Sequence, residues 1–290
     1  MKQFDRASLP WIALVSHLGA LVFGLIGLLI MLPNPDLWSG DPNAVKVFNW
    51  SMEHAGATHI VLGAVTMALF GLLVIGWRKT AIFFAVSYSV SLGFELFGTS
   101  TGWPFGNYAY TDFLGVKVLD HVPWTIPLSW FYMGLAAYLI GSWLVHSLGG
   151  QRAIWGVLAG AWMLTAWDLV LDPAMAHESL RVKFWVWDEQ GPYFGMPIKN
   201  FAGWVATGFI FMAISRWIWR EDARLTVTEL RLPGIVFIAN MIFAMVISAE
   251  VGLWIPIVIA LIVAIAPFAL LRYDRRAPAG RPSLSLGNDR

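Results

Sequence analysis

The chain has 290 residues, of which 58% are hydrophobic and 13% are charged, and its mean hydropathy is +0.65. Because soluble domains average about a quarter charged residues, this composition indicates a protein surrounded mostly by lipid. The net charge of +1 gives no sign of a nucleic acid partner, and the absence of cysteine excludes disulfides, thiolate nucleophiles and Cys-ligated metal clusters.

Eight apolar stretches follow one another along the chain. A bilayer core about 30 Å thick needs roughly 20 mostly apolar residues per helix. The stretches that qualify are 10–32, 56–77, 80–98, 125–147, 153–175, 201–219, 233–249 and 252–271. The sequence therefore predicts an all-α, polytopic integral membrane helix bundle with about eight transmembrane helices. Residues 1–272 form one transmembrane domain in this interpretation, and residues 273–290 form a polar, flexible cytoplasmic tail.

The distribution of basic residues predicts the orientation of the bundle. With the N-terminus in the cytoplasm, 14 of the 19 Lys and Arg residues fall on the inner side. The positive-inside rule then places both termini in the cytoplasm. The two long loops, 99–124 and 176–200, fall on the outer (periplasmic or extracellular) side of this multi-pass cell-membrane protein. Both are rich in Gly, Pro and aromatic residues, and we expect them to cover the outer helix ends.

Three acidic residues lie within or at the ends of predicted membrane helices: Glu95, Asp168 and Asp172. Ionisable groups there are costly and mark functional sites. Asp168 lies about 22 Å along the fifth helix, in the outer half of the hydrocarbon. The i, i+4 spacing puts Asp168 and Asp172 on one helix face, where two carboxyls in low dielectric do not both ionise readily.

A protonated carboxyl beside an ionised one suits acid–base chemistry on an apolar substrate. A structural interpretation stays open, in which the aspartates cap a helix end or pair with a basic loop residue such as Lys199. Glu95 precedes the polar run from Gly98 to Gly102, so a position at the membrane interface is also open for it.

Other site classes fit the sequence less well. His54 and His59 are one loose pair, whereas membrane di-iron sites need several clustered pairs. The two aspartates resemble half of the Mg²⁺–diphosphate motif of membrane prenyltransferases, which usually has two acidic clusters and basic groups. We therefore predict no metal ion and no cofactor.

The sequence contains 17 Trp residues, which is many for its length. Most are expected in the interfacial aromatic belt. Four lie close to the acidic residues or their covering loops: Trp130, Trp167, Trp187 and Trp204. Because aromatic faces stabilise cations, these side chains are candidates for the lining of a pocket in which a carbocation forms.

Four ordered blocks between Phe94 and Trp204 carry a family resemblance. They are FELFGTSTGWPFGNYAYT at 94–111, VPWTIPLSWF at 122–131, WDLVLDPAM at 167–175, and WVW at 185–187 followed by GPYFGMPIKNFAGW at 191–204. In these blocks the chain resembles the polytopic membrane carotenoid hydratases, the family of bisanhydrobacterioruberin hydratases, γ-carotene 1′-hydroxylases and carotenoid 1′,2′-hydratases. The first two and last two helices match only in being hydrophobic.

The resemblance implies addition of water across the terminal C1–C2 double bond of an acyclic carotenoid ψ-end. It implies a lipid-soluble carotenoid substrate, water and membrane lipid as partners, together with other carotenoid biosynthesis enzymes. Our hypothesis makes Asp168 the proton donor, Asp172 the group that holds or deprotonates water, and Glu95 a tuning or relay group. One end of the polyene inserts among helices three to six, and its long body stays in the bilayer. The proposed substrate-binding residues are Thr99, Thr101, Tyr108, Trp130, Trp167, Trp187, Asn200 and Trp204.

Two other functions remain as alternatives. Buried carboxylates also serve as proton relays in transporters, although the two halves of this chain show no convincing internal repeat. A Mg²⁺-dependent membrane prenyltransferase is the second alternative, which a metal requirement and a diphosphate substrate would identify.

Overall fold

The computed structural model describes residues 6–149, 153–221, 223 and 225–276, with side chains up to Ile265. Eight α-helices make up most of it, and the first continues into a π-helical turn over Gly27–Met31. The helices are α1 (Leu9–Ile26), α2 (Pro42–Val74), α3 (Trp77–Thr101), α4 (Ile126–Ser147), α5 (Ala153–Met175), α6 (Ile198–Trp219), α7 (Arg231–Glu250) and α8 (Trp254–Arg276).

The helices have the length and composition of membrane spans. Over the described residues, seven of them are long and apolar enough to cross a bilayer, and α8 contributes a shorter apolar stretch, Trp254–Ile265. The predicted all-α, polytopic membrane fold is therefore confirmed, with α8 as the eighth helix. The tail predicted from residue 273 includes the last turn of α8, and residues 277–290 lie outside the described part of the chain. The cytoplasmic location of the termini stays a prediction.

Helix α2 begins earlier than its apolar residues indicate. The predicted stretch started at residue 56, but the helix begins at Pro42, where the Asp41 carboxylate accepts a hydrogen bond from the backbone N–H of Asn43 at 2.9 Å. Its 33 residues span about 50 Å, which exceeds the hydrocarbon thickness. Polar residues such as Lys46 and Glu53 lower the local hydropathy there, so the N-terminal turns were not visible as a membrane stretch.

Helices α4 and α5 form the centre of the bundle. Most of their residues are buried, whereas only a minority of the residues of α1 and α3 are buried. The two central helices approach closely through small residues: a Cβ atom added at Gly141 would lie 2.7 Å from the backbone nitrogen of Gly160. Small residues allow such backbone contact between membrane helices. This contact fixes α4 and α5 relative to each other.

The two long loops join over one end of the bundle. Strand β1 (Tyr108–Tyr110) pairs antiparallel with β4 (Trp185–Trp187), and a second pair, β2 (Lys117–Val118) with β3 (Val122–Pro123), forms within the first loop. In the first sheet Tyr108 lies opposite Trp187, and Tyr110 lies opposite Trp185. Because side chains alternate along strands, these four aromatic residues share one face. The sheet itself was not predicted from the sequence.

Candidate active site

Three buried carboxylates line one cavity at the loop-covered end of the bundle. Glu95 lies near the C-terminal end of α3, and Asp168 and Asp172 lie in the last two turns of α5. Their exposed fractions are only 3%, 1% and 4%, respectively. All three side chains line a cavity of about 80 Å³. The structure therefore brings the three predicted acidic residues together around one cavity.

Glu95 accepts three hydrogen bonds. One carboxylate oxygen, Oε2, accepts from the hydroxyls of Tyr108 and Tyr110, the latter at 2.9 Å, and Oε1 accepts from the indole N–H of Trp130 at 2.9 Å. Burial, together with the negative charge of Glu95, raises the pKa of Tyr108 and Tyr110 well above 10. Both tyrosines are therefore hydrogen-bond donors at neutral pH. Their hydrogen bonds favour the ionised form of Glu95, whereas its burial disfavours that form.

The two aspartates are joined by Asn200, from the first turn of α6. Its Nδ2 donates to Asp168 Oδ2 at 3.1 Å and to Asp172 Oδ2 at 2.7 Å. Asp172 accepts a second hydrogen bond on Oδ1 from the indole N–H of Trp185. Asp168 has no further donor among the described residues. The two carboxyls therefore differ, because Asp172 has two donors and Asp168 has one.

No basic residue in the described part of the chain forms a salt bridge with these carboxylates. Lys199, the candidate partner from the sequence, instead places its Nζ 2.8 Å from Oε2 of Glu189. The structural interpretation of the aspartates as ion-pair partners of Lys199 is therefore wrong. Within the same described residues, no group of three or more His, Cys, Asp or Glu has the arrangement of a metal site.

Aromatic rings form much of the remaining wall. Trp130 and Trp204 stack with ring centroids 4.0 Å apart, and Trp167 meets Trp204 edge to face at 6.0 Å. All three line the cavity. Indole faces carry negative electrostatic potential, so this wall stabilises positive charge on a bound molecule.

Trp187 supplies an unused donor to the same cavity. It is 9% exposed, and its indole N–H lies near Asp172 but forms no hydrogen bond within the part of the chain that the structure describes. A buried donor without a partner is costly, so such a group in a cavity is suited to bind a polar ligand atom or a water molecule.

Nine of the eleven predicted site residues line the cavity. They are Glu95, Tyr108, Trp130, Trp167, Asp168, Asp172, Trp187, Asn200 and Trp204. The other two lie outside it. The Thr99 hydroxyl donates to the Glu95 carbonyl at 2.8 Å, and the exposed Thr101 hydroxyl donates to the Phe97 carbonyl at 2.7 Å. Both threonine hydroxyls bond to the backbone of their own helix, so neither is free to face the cavity.

Several residues that line the cavity were not predicted from the sequence. Tyr110 and Trp185 follow the same alternation as Tyr108 and Trp187, so the patterns YAY and WVW contained the signal. On the opposite wall, Asn240 accepts from the Tyr132 hydroxyl at 2.9 Å and contacts His17 Nε2 at 3.0 Å. Asn240 is a polar residue inside the apolar helix α7, so the criterion that selected the acidic residues in the sequence would also have selected it.

His59 is a further missed residue, and it lines the cavity from α2. Its backbone carbonyl lies 2.9 Å from His17 Nδ1, and its ring stacks on Phe243 with centroids 5.8 Å apart. The sequence suggested only a loose pair with His54. The structure places His54 elsewhere, exposed and stacked on Trp50.

Comparison with known proteins identifies the family of the chain. The profile of the carotenoid biosynthesis protein family matches residues 55–267, a range that includes every residue lining the carboxylate cavity. The chain is also 30% identical over 200 residues to bisanhydrobacterioruberin hydratase of Haloarcula japonica, an alignment that covers 66% of this chain and 61% of that protein. No solved structure matches the chain. The chain belongs to the carotenoid biosynthesis protein family.

Proposed function

We propose that this protein is a carotenoid hydratase that adds water across the C1–C2 double bond of an acyclic ψ-end, with Asp168 as the acid. The observation that carries the proposal is the set of three buried carboxylates with unequal hydrogen bonding around a small cavity with an indole wall. Hydration of an unactivated alkene requires an acid, a shelter for a cation and one positioned water. Each requirement has a candidate group among the lining residues.

The hydrogen bonds support Asp168 as the proton donor. Glu95 accepts three hydrogen bonds and Asp172 accepts two, whereas Asp168 accepts one. Hydrogen bonds from donors favour the ionised form of a carboxyl, and burial disfavours it. When one proton is shared among the three groups, it therefore resides on Asp168, which is 1% exposed.

Proton transfer from Asp168 forms a C–H bond at C2 and leaves the positive charge on the more substituted C1. The tertiary cation faces the indole wall of Trp130, Trp167 and Trp204 and the negative charges of Glu95 and Asp172. These interactions strengthen as charge develops, so they lower the barrier more than they favour the neutral alkene.

Water addition completes the reaction. A water held by Asp172 and by the free indole N–H of Trp187 attacks C1, and Asp172 takes its proton as the C–O bond forms. The proton then returns from Asp172 to Asp168. Asn200 donates hydrogen bonds to both carboxyls and so keeps them close together. The net change is one alkene and one water converted to one tertiary alcohol, with the enzyme restored.

Pigment analysis tests the proposal directly. Cells that make lycopene or γ-carotene, with and without this gene, are compared by chromatography and mass spectrometry. We expect a product heavier by one water that disappears in Asp168→Asn and persists in Asp112→Asn, a matched substitution at an exposed loop position. An unchanged pigment profile despite confirmed membrane expression would refute the hydratase function and favour the transporter or prenyltransferase.

Isotopes separate hydration from oxidation. In water labelled with heavy oxygen the new hydroxyl should carry the label, and in heavy water C2 should gain one deuterium. A hydroxyl labelled from molecular oxygen would refute protonation by Asp168 even if a hydroxylated product formed.

We also propose that the carboxylate site faces the outer side of the membrane, since the positive-inside rule orients the bundle in this way. The chain has no native cysteine, so single cysteines report sidedness cleanly. In intact cells a membrane-impermeant thiol reagent should label Val116→Cys, in the site-covering loop, but not Val227→Cys, between α6 and α7. Both valines are well exposed. The reverse labelling pattern would show that the bundle has the opposite orientation in the membrane.

A further inference from the structure

The polar cavity is too small to hold a carotenoid. Its volume of about 80 Å³ is roughly half that of a 150 Å³ cavity that holds one benzene. It accommodates the branched end of an isoprenoid chain and little more. The rest of an extended substrate must therefore leave the cavity through one of its walls.

A second cavity continues from the first between α1 and α2. Its volume is about 310 Å³, and it shares His59, Met175 and Phe243 with the carboxylate cavity. Its lining is otherwise apolar except for Ser51, whose hydroxyl donates to the Val47 carbonyl at 2.7 Å and is thereby satisfied. The α2 residues that line it run from Ala44 to His59, which corresponds to a length of about 22 Å along the helix.

We propose that this α1–α2 cavity binds the polyene chain of the substrate while its ψ-end lies among the carboxylates. The inference rests on the proposed function and assigns the body of the polyene to α1 and α2. The sequence hypothesis instead placed one end among helices three to six and left the body in the bilayer. An elongated apolar cavity that opens into an acid–base site is complementary to a long hydrocarbon with one reactive end.

The outer rim of the cavity gives the route of entry. Phe23 and Ile26 line it and are 47% and 45% exposed on the surface of α1, a helix with the length and composition of a membrane span. A carotenoid dissolved in the membrane therefore reaches the cavity sideways, without crossing water. The junction with the carboxylate site is formed by the stacked rings of His59 and Phe243, whose flat faces suit a conjugated chain, and by Met175, whose side chain adapts its shape.

Two glycines of the same helical segment provide a matched pair of variants. Gly27 lines the α1–α2 cavity, and a Cβ added there meets no atom within 4 Å. Gly19 has the same open space around its Cβ but lines neither cavity. Leu at either position is compatible with the helical backbone and favours it over Gly. Only Gly27→Leu should fill the polyene site.

The test compares two substrates that share the same ψ-end, a full-length carotenoid and a short acyclic isoprenoid. We expect Gly27→Leu to hydrate the full-length carotenoid about tenfold less efficiently than Gly19→Leu, through a higher KM, and to hydrate the short substrate equally well. Equal hydration of the carotenoid by both variants, or equal losses on both substrates, would overturn the inference.

A binding measurement separates this inference from the proposed function. A polyene whose ends lack the ψ double bond should co-purify with the detergent-solubilised wild type and with Gly19→Leu, as read from its visible absorption, and be lost from Gly27→Leu. If the polyene binds in this pattern but no carotenoid is hydrated, the cavity assignment holds and the hydratase function fails. If the wild type hydrates carotenoids but Gly27→Leu retains the polyene, the cavity assignment fails alone.

Discussion

The asymmetry between Asp168 and Asp172 leads to different expectations for the folding stability of two isosteric variants. In Asp168→Asn the amide oxygen can still accept from Asn200, and the new NH₂ replaces Oδ1, which accepts nothing from the described residues. In Asp172→Asn both oxygens already accept, one from Trp185 and one from Asn200, so the NH₂ must face an N–H donor. The first variant removes an acid, and the second also breaks a buried contact.

The expected magnitudes follow from these contacts. Loss of a general acid lowers a rate by about 10²–10⁴, or about 2.7–5.4 kcal/mol in the activation free energy. A buried donor left unsatisfied costs about 1–3 kcal/mol of folding stability. Asp168→Asn should therefore lose hydration by two to four orders of magnitude with unchanged stability, whereas Asp172→Asn should lose both activity and about 1–3 kcal/mol of stability.

The assay combines hydration rates in membranes with thermal unfolding in one detergent, using Asp112→Asn as the exposed control. Equal destabilisation by the two variants would refute the assignment of donors to the aspartates. Full activity of Asp168→Asn would refute its role as the acid, whatever its stability.

Three other predictions concern the walls of the site. Glu95→Gln should reduce hydration and lower thermal stability more than Tyr110→Phe, because it weakens three hydrogen bonds and the tyrosine variant removes one. Equal effects of the two variants in the same assays would argue against a hydrogen-bond network centred on Glu95. The pKa values of Tyr108 and Tyr110 are raised in the folded state, so their contribution to folding stability is complete below about pH 10 and is lost as pH rises through the raised values. Unfolding scans in alkaline buffer should show this loss of stability, and the loss should be smaller in Tyr110→Phe. Asn240→Leu should lower stability by about 1–3 kcal/mol because it leaves the buried Tyr132 hydroxyl without its acceptor, and restoration in Asn240→Leu combined with Tyr132→Phe would identify that hydroxyl as the cause.

Much of the bundle was predictable because membrane helices are encoded by composition. A run of apolar residues of the right length has few other folds in lipid, so the positions of α3 to α7 followed closely from hydropathy. The early start of α2 did not follow, since its first turns carry polar residues and depend on the Asp41 cap. Local capping and packing decide such ends, and hydropathy does not contain them.

The site was predictable where one rule sufficed. Acidic residues in apolar helices are rare and costly, which identified Glu95, Asp168 and Asp172. Their partners depend on pairing between β1 and β4, which joins Tyr110 to Trp185 across more than seventy residues of sequence. Long-range register is not contained in spacing along the chain. His59 was missed for a similar reason, because its importance comes from its position where the two cavities meet.

The close approach of Gly141 to Gly160 divides the protein into parts with different freedom to change. Helices α4 and α5 hold Trp130 and the two aspartates, and their backbone contact leaves no room even for a methyl group at Gly141. Helix α1 and the π-helical turn that follows it have open space beside Gly19 and Gly27. On the proposed assignment, substitutions on the α1–α2 side would change which chains fit while the carboxylates keep their positions. Substrate range and chemistry would then be separable properties in this architecture.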